Sequence, residues 1–174
     1  MPLTLVRRAG PDTLGKLEGA ARRRFREAEK LLNNSERLGA IYLFGYSIEI
    51  TLKSAYYRTI GLVPTHTIDP LLHRKPAEAA IAAMPLLPRH PITGGPHAGH
   101  HLVGWARLLE QTRAANGGPM VNAIATKMHD HARAVFHCWV EFLRYRDNRP
   151  YDVEVKAVRA AAKWFRVNAT RLWS

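Results

Sequence analysis

Apolar residues recur every three or four positions along five stretches of the chain, which is the spacing of helices with one buried face. Continuous alternation of the kind seen in strands does not extend beyond a few residues. The pattern predicts an all-α fold, most simply an antiparallel up-and-down helical bundle of four to five helices. The predicted helices cover residues 13–32, 37–60, 101–114, 119–144 and 152–172, with Ser35 and Asp152 as candidate caps and Gly61 as a terminating residue.

A different composition separates the second predicted helix from the third. This connection, counted to His101, holds seven of the eleven prolines and six of the nine histidines. Each proline lacks a backbone donor and restricts the residue before it, so we expect only a short helix here, over residues 76–84. We therefore predict one domain spanning residues 1–174, with a Pro/His-rich insertion at about 62–98.

The charge balance indicates that the predicted bundle is strongly basic. The net charge is +12, from 26 Lys and Arg against 14 Asp and Glu. Such a field attracts polyanions such as nucleic acid, although an arginine-rich proteome would give the same balance. The single cysteine, Cys138, excludes a disulfide framework or a cysteine zinc site within one chain. We expect a cytoplasmic protein with no cofactor and no membrane contact, because no apolar segment approaches a membrane span.

The second predicted helix carries a polar set on one side. Tyr46, Glu49 and Lys53 stand at i, i+3 and i+7, and Glu49 precedes Lys53 in the favourable order for an ion pair. Such a pair is worth roughly 0.2–0.5 kcal/mol when it is exposed, and a solvated pair is the alternative to a functional one. Gly45 lies at the same level and permits close approach of a neighbouring helix.

The stretch "LGAIYLFGYSIEITLKSAYYRTIG" resembles the first signature of the HEPN family (higher eukaryotes and prokaryotes nucleotide-binding domain). "GHHLVGWARLL" resembles the family's next segment, with His101 in the histidine place and Tyr46, Glu49 and Lys53 completing a polar cluster. The resemblance implies a short helical bundle that forms a homodimer. Active members are metal-independent ribonucleases whose Arg and His, usually brought together across the dimer, act on RNA, and some are toxins paired with an antitoxin partner.

The segment "FLRYRDNRPYD" resembles the place where active members carry Arg and, four to six residues later, His. Here Arg144 takes the arginine place and Arg149 falls where the histidine would be, and arginine cannot act as a general base. His137, seven residues before Arg144, is an alternative partner for catalysis. The other interpretation is that it belongs to an ordinary solvent-exposed helix face. A metal site from His129, His137 and Glu141 is disfavoured because arginine lies between the histidines, so no metal is expected.

The remaining hypothesis concerns phosphate binding. Guanidinium groups hold phosphate through paired hydrogen bonds, and tyrosines stack on bases. The predicted function is a non-catalytic domain that binds nucleotide or RNA phosphates or acts as a regulatory interaction module. The alternatives are an active ribonuclease, or a structural module in which the insertion binds a protein. The candidate contacts are Arg144, Tyr145, Arg146, Arg149, Lys156, Arg159 and Lys163, the last three of which could equally be a solvated helix face.

Overall fold

The structure is a computed structural model that describes residues 12–89, 98–116, 118–141, 143 and 149–174. This part of the chain contains α-helices and no β-strand, which confirms the all-α prediction. None of its helices has both the length and the hydropathy that a transmembrane segment needs. The helices are α1 (Leu14–Asn33), α2 (Arg37–Thr59), α3 (Lys75–Ala82), α4 (Leu102–Ala115), α5 (Asn122–Phe136) and α6 (Asp152–Asn168).

Helix α2 is the central element of the bundle. It packs against α1, α4 and α6, while α5 joins α4 to α6 on the far side and α3 lies on α4. Thirteen residues of α2 are buried, on more than one face, because neighbours surround the helix. Four of them are polar residues that sequence patterns would assign to a surface: Ser47, Glu49, Thr51 and Ser54.

The turn between α1 and α2 corrects one predicted cap. Ser35 has a φ of +64°, and Glu36, without a side-chain cap, precedes the helix. The amides of Ser35 and Glu36 donate to the carbonyls of Leu32 and Leu31, so the serine ends α1 rather than starting α2. Gly61, at the other end of α2, has a φ of +89° and ends the helix in the same way, as predicted.

Helix α5 is shorter than its sequence pattern predicted. It begins at Asn122 rather than Pro119 and ends at Phe136 rather than near Arg144, so His137 and Glu141 do not continue it. The chain turns there because the Trp139 indole inserts against Gly45 and donates to the carbonyl of Tyr42 at 2.9 Å. A Cβ at Gly45 would lie 2.2 Å from this indole, so the glycine admits a side chain rather than a neighbouring helix.

Part of the insertion is folded against the bundle. The predicted short helix is present as α3, whose Ala77 and Ile81 are buried. Gly104 of α4 admits the Ile81 side chain, since a Cβ there would lie 2.5 Å from it. At the other end of the insertion, the Leu14 amide donates to the His66 carbonyl at 3.0 Å, which ties the connection to the start of α1.

Candidate functional site

Glu49 is the centre of a charged cluster between α2 and the start of α4. Its side chain is 3% exposed, and its two oxygens contact different basic side chains. Lys53 Nζ lies 2.5 Å from Oε1, and His100 Nδ1 lies 2.9 Å from Oε2. The ammonium group also lies 5.3 Å from the ring centre of Trp105. The ion pair predicted from spacing is therefore present, but it is buried rather than solvated.

Protonation in this cluster is coupled. Burial alone would raise the pKa of Glu49, but the hydrogen bond from His100 and the charge of Lys53 outweigh it, so the pKa lies below its usual value. The same hydrogen bond raises the pKa of His100 against burial and the repulsion from Lys53, with further help from the Glu141 charge. Each group thus favours the charged form of its neighbour, and the cluster holds carboxylates and cations that compensate one another.

His101, which the resemblance assigned to the polar cluster, has a capping role at the start of α4. Its Nδ1 accepts a hydrogen bond from the Gly104 amide at 3.0 Å and caps α4. Nε2 lies 2.9 Å from the Pro88 carbonyl and therefore carries the hydrogen that it donates. The ring is 3% exposed and packs on Phe136 at 4.7 Å. His100 takes the place next to Glu49, and the sequence signal that could have indicated it is the paired histidine immediately before α4.

Tyr46 lies on the same helix but in an aromatic environment. Its ring stands 6.2 Å from Trp139 and 5.6 Å from Tyr42. The half-buried tyrosine therefore contributes to the wall that the Trp139 indole completes. Of the four residues predicted as one polar cluster, the structure brings Glu49 and Lys53 together and gives Tyr46 and His101 packing and capping contacts.

The predicted arginine loop is described only at its end. Arg144, Tyr145 and Arg146 lie outside the described residues. Arg149 is exposed and lines a cleft of about 650 Å³ where the α1–α2 turn meets the start of α6. An ion pair of 2.5 Å between Arg37 and Asp152 crosses the same cleft. The predicted cap of α6, Asp152, is instead its first helical residue, and Tyr151 takes the cap position.

The basic stripe of α6 has an acidic partner that its own sequence does not contain. Lys156 and Lys163 are exposed, but Arg159 donates two hydrogen bonds to Glu29 of α1, at 2.9 and 2.6 Å. The surface on which the α6 cations lie therefore includes an acid that belongs to α1. The hydrogen bonds from Arg159 lower the pKa of Glu29 against burial, and the charges of Arg159, Lys163 and Arg166 lower it further.

The Arg159–Glu29 pair connects two helices that both carry exposed cations. On α1, Arg26 and Lys30 are exposed, one turn apart, on either side of Glu29. Arg166 of α6 lies 4.6 Å above the ring of Phe25, which is one turn before Glu29 on α1. We call this surface the α1–α6 basic face. It comprises Arg26, Lys30, Lys156, Arg159 and Lys163.

The histidines considered for catalysis or metal binding are held apart. His129 Nε2 lies 2.7 Å from a carboxylate oxygen of Glu110 on α4. His137 is exposed just after α5, and its relation to Arg144 lies outside the described residues. Across the described ranges, no three His, Cys, Asp or Glu side chains stand together as they would around a metal ion. His129, His137 and Glu141 therefore do not form such a group.

No protein-family model, curated protein or solved structure matches the chain. The HEPN resemblance stays a prediction carried by the short motifs quoted above. The chemistry of the site must be inferred from the residues themselves: a buried cluster of compensated charges, an exposed face of cations, and an arginine at the edge of a cleft.

Proposed function

We propose that the protein is a non-catalytic, HEPN-like domain that binds RNA or nucleotide phosphates. The α1–α6 basic face and the segment ending at Arg149 provide the contact surface. The observation that carries the proposal is the arrangement around Glu29, where one carboxylate is surrounded by Arg159, Lys163 and Arg166. A surface with this excess of cations attracts an extended polyanion and releases its counterions on binding.

The geometry of the face suits a chain of phosphates better than a single ion. Arg26 and Lys30 repeat at about 6 Å along α1. Lys156 and Lys163 lie two turns apart on α6, about 10 Å. The hydrogen bonds to Glu29 hold Arg159 between these rows. Because this side chain is already ordered before binding, the entropy cost of ordering it does not reduce the affinity.

Two of the histidines that the sequence motifs pointed to have structural contacts, which favours binding over cleavage. His101 caps α4, and Glu110 holds His129. Arg149 has the sequence position of the family's histidine, and a guanidinium group can hold a phosphate but does not act as a general base. RNA contact without hydrolysis is therefore the activity that these groups favour.

The test is binding of a fluorescent 20-nucleotide oligouridylate, measured by anisotropy at low ionic strength. We expect the double variant Lys156→Glu/Lys163→Glu to lose roughly tenfold or more in affinity. Lys127→Glu/Arg133→Glu makes the same change of charge with two exposed cations of α5 and should lose far less. Equal losses in the two variants, or no salt-sensitive binding by the wild type, would overturn the proposal.

A metal-independent ribonuclease is the second candidate, because the chain presents an imidazole–carboxylate pair. His100 is 34% exposed while it contacts Glu49, and Lys53 lies beside both. Histidine and carboxylate side chains commonly act as general acids and bases in proton transfer. This activity would be established if the wild type cleaves RNA in the presence of a chelator and a variant does not. The variants to test are His100→Ala and the predicted pair, Arg144→Ala and His137→Ala. Intact RNA after long incubation would exclude it.

The predicted partners are part of the proposal. We propose a homodimer, which sedimentation equilibrium would show as a concentration-dependent mass, and a protein partner such as an antitoxin if the ribonuclease is active. In the alternative structural module, the insertion binds the partner. Deletion of residues 85–97 would then abolish partner binding and leave RNA affinity unchanged, whereas the phosphate-binding proposal predicts no such dependence. The cytoplasmic location stays a prediction.

A further inference from the structure

A separate pocket opens where α1, α2 and α6 meet the C-terminal turn. Its volume is about 370 Å³. Its lining does not include Glu49, His100, Arg149 or any of the five cations of the α1–α6 basic face. The lining combines buried hydroxyls, small apolar side chains, one indole and three guanidinium groups, a set that no motif in the sequence indicated. The residues that matter are Ala21, Arg22, Ser47, Thr51, Ser54, Arg58, Arg166, Ala169 and Trp173.

The wall formed by α2 is a row of hydroxyl groups. Ser47, Thr51 and Ser54 stand at i, i+4 and i+7 and are each less than a tenth exposed. Ser47 Oγ donates to the Ala21 carbonyl at 3.0 Å, and Thr51 Oγ1 donates to the Ser47 carbonyl at 2.8 Å. Ser54 Oγ is the buried side-chain polar atom that has no hydrogen-bond partner among the described residues. An unpaired buried hydroxyl costs free energy, so its position in a pocket suggests a ligand atom as its partner.

Arg58 is part of the rigid wall and is not available to a ligand's charge. Its guanidinium donates to both carboxylate oxygens of Glu18, at 2.8 and 3.2 Å, and lies 5.6 Å above the Trp173 ring. This pairing neutralises Arg58 and positions the indole. The apolar part of the pocket is formed by that indole together with Ala21 and Ala169.

The remaining cations, Arg22 and Arg166, come from opposite sides of the pocket. Both are exposed, and they belong to α1 and α6 respectively. Arg166 is held over Phe25 at 4.6 Å, which fixes its direction. With Glu18 already paired to Arg58, the charge left at the opening is that of two guanidinium groups. Such a pair holds a carboxylate or a phosphate through several hydrogen bonds.

We propose that this pocket binds a small organic anion. Its carboxylate or phosphate group lies between Arg22 and Arg166, its apolar body packs on Trp173, and a polar atom at its far end accepts a hydrogen bond from Ser54. The inference does not rest on the RNA-binding proposal, because Lys156 and Lys163 take no part in the pocket and Ser54 takes no part in the basic face.

The probes are 4-hydroxybenzoate, benzoate and phenyl phosphate, titrated into ¹⁵N-labelled full-length protein. We expect saturable shifts at the Ser54 amide and the Trp173 indole, and the carboxylate and phosphate arms tell which anion the opening prefers. Arg22→Ala and Arg166→Ala should each weaken binding about tenfold. Arg23→Ala removes the exposed arginine next to Arg22, which does not line the pocket, and should bind like the wild type.

Ser54→Ala separates ligand binding from folding. The unliganded variant should have an unchanged or higher Tm, because a buried hydroxyl without a partner is removed. The wild type should bind 4-hydroxybenzoate more tightly than benzoate, because the hydroxyl group accepts a hydrogen bond from Ser54. The variant should bind benzoate like the wild type and should show no preference between the two. Three results would overturn the proposal: no saturable shift with any probe at millimolar concentration, shifts centred on Lys156 and Lys163, or wild-type affinity in Arg22→Ala and Arg166→Ala.

Discussion

Glu49 and Glu29 are both surrounded by cations, and both have a lowered pKa, yet they lie in opposite environments. The Glu49 side chain is 3% exposed and contacts Lys53 and His100. The Glu29 side chain is 23% exposed and contacts Arg159. In the buried cluster, the Glu141 charge helps to balance the second cation. On the surface, Lys163 and Arg166 stand near Glu29 in addition to the cation that it pairs with.

The comparison separates charges that hold the fold from charges that are available to a partner. The charge of a buried carboxylate must be balanced by its neighbours, because the free-energy cost of desolvation would otherwise favour its protonation or its exposure to solvent. An exposed carboxylate needs no such balance, so an excess of cations around it can persist in solvent and attract a polyanion. The buried cluster should therefore govern stability, and the α1–α6 basic face should govern binding.

The largest expected effect is on stability at the buried cluster. Glu49→Ala leaves Lys53 and His100 without their shared partner, and the removal of one member of a buried pair costs about 3–5 kcal/mol. Chemical denaturation with urea should show that loss. Glu29→Ala at the partly exposed pair is the matched control and should cost less than about 1 kcal/mol. Similar losses in the two variants would break the distinction between the regions.

The second prediction is the pH dependence of the buried cluster. The raised pKa of His100 makes its contribution complete below about pH 6.5, the usual value, and lost as pH rises through the higher folded pKa. The lowered pKa of Glu49 makes its contribution complete above about pH 4.5 and lost as pH falls. The stability difference between the wild type and His100→Gln should therefore be largest between these values, at roughly 1 kcal/mol.

Thermal unfolding across pH 4–10 would measure this difference. At alkaline pH the His100→Gln difference should shrink. A difference that stays constant, or that grows above pH 8, would show that the imidazole contributes through packing rather than through its charge.

The smallest effect sharpens the surface side of the comparison. Glu29→Gln removes the carboxylate from the basic face and releases Arg159, so RNA affinity should rise a few-fold at low salt. Glu27→Gln, which removes the acid that pairs with Arg24 on the same helix, is the matched control. Fluorescence anisotropy measures the RNA affinity of both variants. A fall in affinity for Glu29→Gln would mean that holding Arg159 in place matters more than the net charge of the face.

Local patterns predicted most of the helices because their causes lie within a few residues. Gly61 ends α2 through its own backbone conformation, and the short helix of the insertion appeared where proline allowed it. The end of α5 depends on a contact that no local pattern contains, since Trp139 bonds to the carbonyl of Tyr42, 97 residues earlier.

The site was harder to predict for the same physical reason. Spacing identified Glu49 and Lys53, but it cannot tell which of two adjacent histidines caps α4 and which turns towards Glu49. Nor could the row of Ser47, Thr51 and Ser54 be distinguished from a wet helix face before α1 and α6 were known to cover it. The cation stripe of α6 was visible, whereas its partner Glu29 belongs to another helix, 130 residues away.

The most direct test of phosphate binding at the α1–α6 basic face is the salt dependence of oligouridylate affinity. Each phosphate contact to a single strand contributes about −0.7 to the slope of log K against log salt concentration. Lys156→Gln/Lys163→Gln should reduce the slope by about 1.4 relative to the wild type. Lys127→Gln/Arg133→Gln on α5 should leave it unchanged. A wild-type slope in the first variant, or the same reduction in both, would contradict the assignment of RNA contact to this face.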